Sequence, residues 1–363
     1  MWWIAITSLS STILHREVDA EPVASTSCEN VVSTDPLPPV ADGARATRPD
    51  LNRPTRVAIE FHVLELREID LVEGSYLFRG YVRTSWCDRR LAFDRSLVGV
   101  DEQVYTGATA ADMLGKTVWY PAGFPVNRVG DLSITERILR IRHDGTIEQD
   151  MNIDVTLASH FDLRRFPFDR QILQVQIESF VFPASQVVLV DEGGRTGFDP
   201  SLKLPEWEIE SATGSVSEVS VMRSRETFSR FTLDIRIARR PGFYLWKVFL
   251  PLVIIVAMSW SIFWMPDERF AQRSRITSTG VLTIVAYQFA FGSDLPRIGY
   301  LTLLDKAMIL SFGLLAVTML ESLMISTWQE RDKGRALRTD RASRLIFPAA
   351  YVAGLLLILV SSG

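Results

Sequence analysis

Cysteine is nearly absent: Cys28 and Cys87 are the only two in 363 residues, too few for a disulfide scaffold. Cys28 lies in a polar, weakly patterned stretch, so no bridge to Cys87 is expected. Histidine is almost as scarce. His15, His62, His143 and His160 show no metal-ligand spacing, and there is no nucleophile elbow or phosphate-binding glycine loop. The sequence thus predicts no metal, no cofactor and no enzyme. A formal net charge of −4, with no basic run interleaved with aromatics, argues against nucleic acid as a partner. The first two thirds also lack long helical patterns and long apolar runs.

Apolar residues make up 47% of the chain, but they crowd into its last third. That imbalance predicts a soluble domain followed by a membrane domain. Residues 1–14 form a short apolar run with Trp2, Trp3 and Ile4, and Val18-Asp19-Ala20 supplies small residues near a cleavage point. A cleaved export signal over 1–20 is the reading. Residues 21–52 are rich in Ser, Thr, Pro and Asp and read as a flexible lead-in.

From 53 to 240 the signals are those of strands. Segments 57–66, 76–86, 138–142, 172–180 and 231–237 show partial two-residue alternation, divided by Glu73-Gly74, Asp144-Gly145 and Glu192-Gly193-Gly194. Asp144-Gly145 supplies the positive backbone angles of a tight hairpin over 142–146. The fold expected here is an all-β extracellular sandwich of about ten strands. Pro241 then ends the last strand.

Residues 241–363 read as an all-α transmembrane domain with spans near 243–264, 273–296, 303–328 and 345–360. The first, at about 22 residues, covers ~30 Å of hydrocarbon. The second differs from its neighbours: it carries Thr277, Ser278, Thr279, Thr283 and Gln288, with Arg273 and Arg275 at one end. Polar groups in a spanning helix usually face a bundle interior or a water-filled path; alternatively, such hydroxyls bond back to their own backbone. Arg331, Lys333, Arg335, Arg338, Arg341 and Arg344 lie between the third and fourth spans, whereas the loop after the second holds only Arg297. The positive-inside bias puts the β domain and the C-terminus outside a multi-pass protein of the plasma or inner membrane.

Three stretches carry a resemblance: Trp86-Cys87-Asp88-Arg89-Arg90-Leu91-Ala92-Phe93-Asp94, Asp162-Leu163-Arg164-Arg165-Phe166-Pro167-Phe168-Asp169-Arg170-Gln171, and Arg240-Pro241 with Phe243-Tyr244 and Leu250-Pro251. In this order, ahead of four spans, they resemble the pentameric ligand-gated ion channels (the Cys-loop receptor superfamily), in their bacterial branch without the signature disulfide. The resemblance covers nearly all of residues 53–360. It implies a homopentamer in the lipid bilayer, opened by a small-molecule agonist or protons and passing inorganic ions.

For gating, the resemblance implies that Phe166, Pro167 and Phe168 press on the loop holding Pro296 and Arg297. Asp70, Asp169 and Arg240 match a charge cluster at that junction. For the agonist, it places Tyr81, Phe180 and Phe228 in an aromatic box, with Glu178, His62 and Phe124 beside it. Aromatic faces with a carboxylate suit a cationic amine. Val221-Met222 where a tyrosine is usual, and Arg223 and Arg225 nearby, point instead to an anionic or zwitterionic ligand, or to proton sensing by His62 and Glu178.

For the pore, the resemblance implies a seam of Arg275, Thr279, Leu282, Ala286, Phe289 and Ser293. Arg275, Leu282 and Phe289 are seven residues apart and share one helix face. A ring of Arg275 side chains favours anions such as chloride. Asp267 and Glu268, which could line the exit, leave a cation-selective channel as the alternative. A non-conducting, membrane-anchored β-sandwich binding protein is the rival of another class.

Overall fold

In a computed structural model, the protein is described at Cys28 and at residues 47–192, 195–221, 226–265, 270–291, 297–329, 331 and 333–361. The expected export signal over 1–20 lies outside the described residues.

The chain forms a largely antiparallel β-sandwich, with two short strands pairing in parallel with the first, followed by helices. The strands are β1 (Thr55–Asp70), β2 (Ser75–Cys87), β3 (Glu102–Thr106), β4 (Gly123–Pro125), β5 (Arg128–Arg142), β6 (Thr146–Ala158), β7 (Arg170–Ser179), β8 (Val187–Val190), β9 (Gly197–Phe198), β10 (Trp207–Val221) and β11 (Glu226–Arg239). One sheet runs β3-β5-β6-β2-β1-β8 with β9 also paired to β1; the other runs β10-β11-β7-β4. Strand β2 shows why these residues fold so. Tyr76, Phe78, Val82, Thr84 and Trp86 fall on alternate positions and are all buried, because successive side chains leave a strand on opposite faces. Phe61 and Phe231 stack across the sandwich at 5.5 Å between ring centroids.

The β5–β6 hairpin turns at Asp144-Gly145, with Gly145 at φ 90°. Even apart from that angle no side chain fits there, since a Cβ would lie 2.7 Å from the Asp88 carbonyl oxygen. Alternation in the sequence reveals parts of β1, β2, β5, β7 and β11. It misses β6 and β10; in β6 the pattern is broken by polar Gln149 on the inward face and by Asp150, buried on the opposite face under Arg83 and Arg140.

The expectation of unpaired cysteines is wrong: Cys28 and Cys87 form a disulfide. Cys28 is buried, its N–H donates to Thr146 Oγ1 at 3.1 Å, and Arg89 reaches its carbonyl. Polar composition around Cys28 hid a docking point at the far end of β2.

Among the described residues four helices follow: α1 (Gly242–Trp264), α2 (Phe270–Phe291), α3 (Leu303–Gln329) and α4 (Lys333–Ser361). By length and composition, Gly242–Trp264, Leu303–Trp328 and Gly334–Ser361 are apolar enough to cross a membrane. Helix α2 has the length but carries the hydroxyls and arginines noted above. Helix α4 starts about a dozen residues before the expected span, because its Arg- and Ala-rich opening is good helix-forming sequence. Trp246, Met258, Leu345 and Leu357 stand exposed on the outside of these helices, an apolar surface that suits lipid rather than water.

Candidate functional site

Strand β11 delivers a side chain to the base of the sandwich. Its inward positions alternate Leu233, Ile235, Ile237 and Arg239, so Arg239 enters the interior. There it meets Asp169, with Nε 2.8 Å from one carboxylate oxygen and Nη2 3.2 Å from the other. Both side chains are 1% exposed. The guanidinium also lies 4.0 Å from the Trp207 ring centroid and 4.9 Å from that of Phe166. The partner of Asp169 is thus Arg239, not the expected Arg240. Period-two geometry sends Arg240 outward, where it comes no nearer than 3.9 Å to Glu208. Asp70 joins no cluster with them; its carboxylate accepts from the Val72 and Glu73 N–H groups and closes the β1–β2 turn.

Phe166 packs edge-on against Tyr244 of α1 at 4.6 Å, and Leu163 shares that apolar cluster with Leu252, Leu304 and Met308. The Leu163 N–H donates to the Tyr300 hydroxyl at 3.0 Å, and Arg164 covers the Tyr300 ring. The 162–169 loop therefore touches both α1 and the segment leading into α3. Phe168 is partly exposed, and Pro296 lies outside the described residues.

Helix α2 has two unlike faces. Arg273, Thr277 and Ile284 are buried against the other helices. Arg275, Thr279, Leu282, Ala286 and Phe289 are all exposed, Leu282 at 69% and Phe289 at 81%. Ser293, Asp267 and Glu268 lie outside the described residues. Thr277, Ser278, Thr279 and Thr283 each donate to the carbonyl four residues back, which satisfies every one of these hydroxyls within the helix. Tyr287 turns toward α1, its hydroxyl donating to the Lys247 carbonyl.

Four expected ligand residues meet in an open cleft of about 530 Å³: Phe124, Glu178, Phe180 and Phe228, joined by Arg128 and Arg230. Cross-strand register sets Arg230 opposite Glu178, and the two form an ion pair. No sequence signal pointed to Arg230, because register between β7 and β11 is not visible in either strand. Tyr81 and His62 do not join the cleft; they face each other across β1 and β2 in the other sheet. The Tyr81 hydroxyl accepts from Arg83 at 3.0 Å, and Arg83 binds Asp150. Burial, followed by the nearby Asp150, raises the Tyr81 pKa. Met222, Arg223 and Arg225 lie outside the described residues, among which no group of three or more His, Cys, Asp or Glu side chains is arranged to hold a metal.

Residues 42–241 match the neurotransmitter-gated ion-channel ligand binding domain. Among similar proteins is a gamma-aminobutyric acid receptor subunit beta of Lymnaea stagnalis, 26% identical over 78% of this chain and 59% of that protein. The corresponding subunit of Caenorhabditis elegans is 28% identical over 77% of this chain and 50% of that protein. A proton-gated ion channel of Gloeobacter violaceus is 25% identical over 87% of this chain and 83% of that protein. The chain spans half to about three fifths of the length of these receptor subunits, and most of the bacterial channel. With more than half of its length matched, the chain belongs to the neurotransmitter-gated ion-channel ligand-binding family.

Proposed function

We propose that the chain is a subunit of a homopentameric ligand-gated ion channel, of the kind with no disulfide across the 162–171 loop. The carrying observation is the exposed line Arg275, Thr279, Leu282, Ala286 and Phe289 on α2. A helix with an arginine on its uncovered face is poorly suited to lipid but suited to a shared aqueous path; its hydroxyls, satisfied within the helix, fit either setting. Leu282 and Phe289 then form apolar rings able to close the path by dewetting, and Arg275 rings its cytoplasmic mouth. Such a ring favours anions, which agrees with relatives named as gamma-aminobutyric acid receptor subunits. The basic stretch from Arg331 to Arg344 orients the sandwich outward.

The cleft between Phe124 and Phe228 is the proposed agonist site. Glu178 is already neutralised by Arg230, and Arg128 adds a second guanidinium. This balance favours an anionic or zwitterionic ligand bearing a carboxylate over a simple amine. Tyr81 and His62 would enter the site from the adjacent subunit. Binding shifts a closed–open equilibrium by differential affinity, and the Asp169–Arg239 base, with the 162–169 loop, carries the motion to α1 and α3.

Reconstitution in liposomes and a reversal potential in a sodium chloride gradient test the reading, with pH and small carboxylates screened as openers. Reversal near the chloride potential is expected. Reversal near the sodium potential would turn Arg275 away from the lumen and favour the cation-selective alternative. A protein that assembles yet carries no current would favour the anchored binding protein.

A further inference from the structure

We propose that Asp340, on α4, is a positioning residue for α2: by holding Arg273 inside the subunit it sets the rotation of α2 and so turns Arg275 toward the lumen. The inference rests on the pore reading above. Arg273 and Arg275 are equivalent by composition, two residues apart on the same helix end, and only one goes inside. Arg273 is 1% exposed, whereas Arg275 is exposed.

The inward side chain is held at several points. Arg273 Nη1 lies 3.2 Å from Asp340 Oδ1, with both side chains at most 4% exposed, and Nη2 donates to the Met265 carbonyl at 2.6 Å. Arg344 comes within 3.5 Å of the other Asp340 oxygen and donates to the Phe263 carbonyl at 2.9 Å. Through Arg273 and Arg344, this carboxylate therefore ties the base of α2 and the opening of α4 to the chain at the end of α1.

Helical geometry converts that tie into pore chemistry. Successive residues lie about 100° apart, so Arg275 stands about 200° from Arg273 and faces away from Asp340. The same rotation places Thr277 and Ile284 inside and Thr279, Leu282, Ala286 and Phe289 outside. Apolar packing alone specifies this rotation poorly. Val281 and Val285 flank Ile284, and either fills an apolar space nearly as well when the helix turns. An ion pair between two buried groups has no such substitute, and fixing one arrangement among several is the best-attested use of a buried polar pair.

The test uses the full-length reconstituted protein carrying Thr279→Cys, which supplies the only free thiol because both native cysteines are bridged. Two quantities are read: the reversal potential in a sodium chloride gradient, and the rate at which a charged thiosulfonate modifies the cysteine from the aqueous phase. Asp340→Asn is expected to lower the chloride-to-sodium permeability ratio at least threefold and to slow modification at least tenfold. Asp340→Glu, which keeps the charge, is expected to restore both. Arg273→Gln serves as the second variant, because it leaves Asp340 paired with Arg344 and strands no carboxylate. Either asparagine or glutamine variant, assembled as a pentamer with wild-type permeability and modification rates, overturns the proposal. If the wild type carries no current, the channel reading falls, and the modification rates alone decide whether Asp340 sets the rotation of α2.

Discussion

The Tyr287 hydroxyl donates to the Lys247 carbonyl at 2.6 Å and lies 2.9 Å from that of Val248. Pro251 explains why a donor is needed there. Lacking an N–H, it cannot serve the carbonyl four residues back, which is that of Lys247, and its ring crowds the same group. Helix α1 widens into π-type hydrogen bonding over Leu245–Phe249 just upstream. Tyr287 of α2 fills the vacancy, so the exposed-faced helix is joined to the helix that continues from the sandwich.

Tyr287→Phe removes that donor from the Lys247 carbonyl, a loss of about 1 kcal/mol. Pro251→Ala supplies the missing N–H from within α1. A double-mutant cycle on thermal stability is expected to give a Tyr287→Phe penalty at least halved in the alanine background. Strict additivity would show that the hydroxyl does not answer for the proline.

Asp169 and Arg239 form a fully buried pair, so removing either partner strands a charge. Asp169→Asn and Arg239→Ala are each expected to cost about 3–5 kcal/mol, or to prevent assembly. Arg239→Lys is expected to rescue little, because an ammonium cannot reproduce both the two-point contact with the carboxylate and the stack on Trp207. Arg240→Ala, by contrast, should lie within about 0.5 kcal/mol of wild type. Denaturant unfolding of these variants checks the order.

The Cys28–Cys87 bridge closes a separation of 59 residues. Chain-entropy arithmetic for a loop of that size gives roughly 4 kcal/mol of stabilisation. Cys87→Ser and treatment of the wild type with a reductant should lower the melting temperature by similar amounts. Reductant added to the Cys87→Ser protein should do nothing further.

Two acids in the sandwich give opposite pH signatures. Burial pushes Asp150 upward, but hydrogen bonds from Arg83, Tyr81 and Arg140 outweigh it and hold its pKa below the ordinary 3.8. Its contribution is present above pH 3.8 and is lost as pH falls through the lower folded value. Glu60 is raised above 4.5, chiefly by burial and against the pull of Arg195 and Arg83. Its contribution is therefore fully present below pH 4.5 and is lost as pH rises through the raised value. Melting curves should show Asp150→Asn least stable relative to wild type near neutrality, with the gap closing below pH 3.8. Glu60→Gln should gain on wild type as pH rises from 4.5.

The division of the chain was legible because it rests on local periodicity. Alternation in 76–86 becomes β2, Asp144-Gly145 becomes a hairpin turn, and the oddly polar stretch that opens at Arg273 becomes the helix that is not apolar throughout. In the cleft, Phe124, Glu178, Phe180 and Phe228 come together, yet Arg230, which neutralises Glu178, was not foreseen. At the base, the choice between Arg239 and Arg240 turned on strand phase at the end of β11, where proline already breaks the pattern.

What the sequence determined by itself is each segment's preferred conformation and its greasy or polar side, since both depend on neighbours one to four residues away. Tertiary structure alone decided which charge finds which partner. Asp169 meets Arg239 across 70 residues, Arg273 meets Asp340 across 67, and Cys28 meets Cys87 across 59. Such pairings follow from register between strands and rotation between helices. Many segments of the same pattern satisfy those constraints locally, and only the packed whole selects one combination.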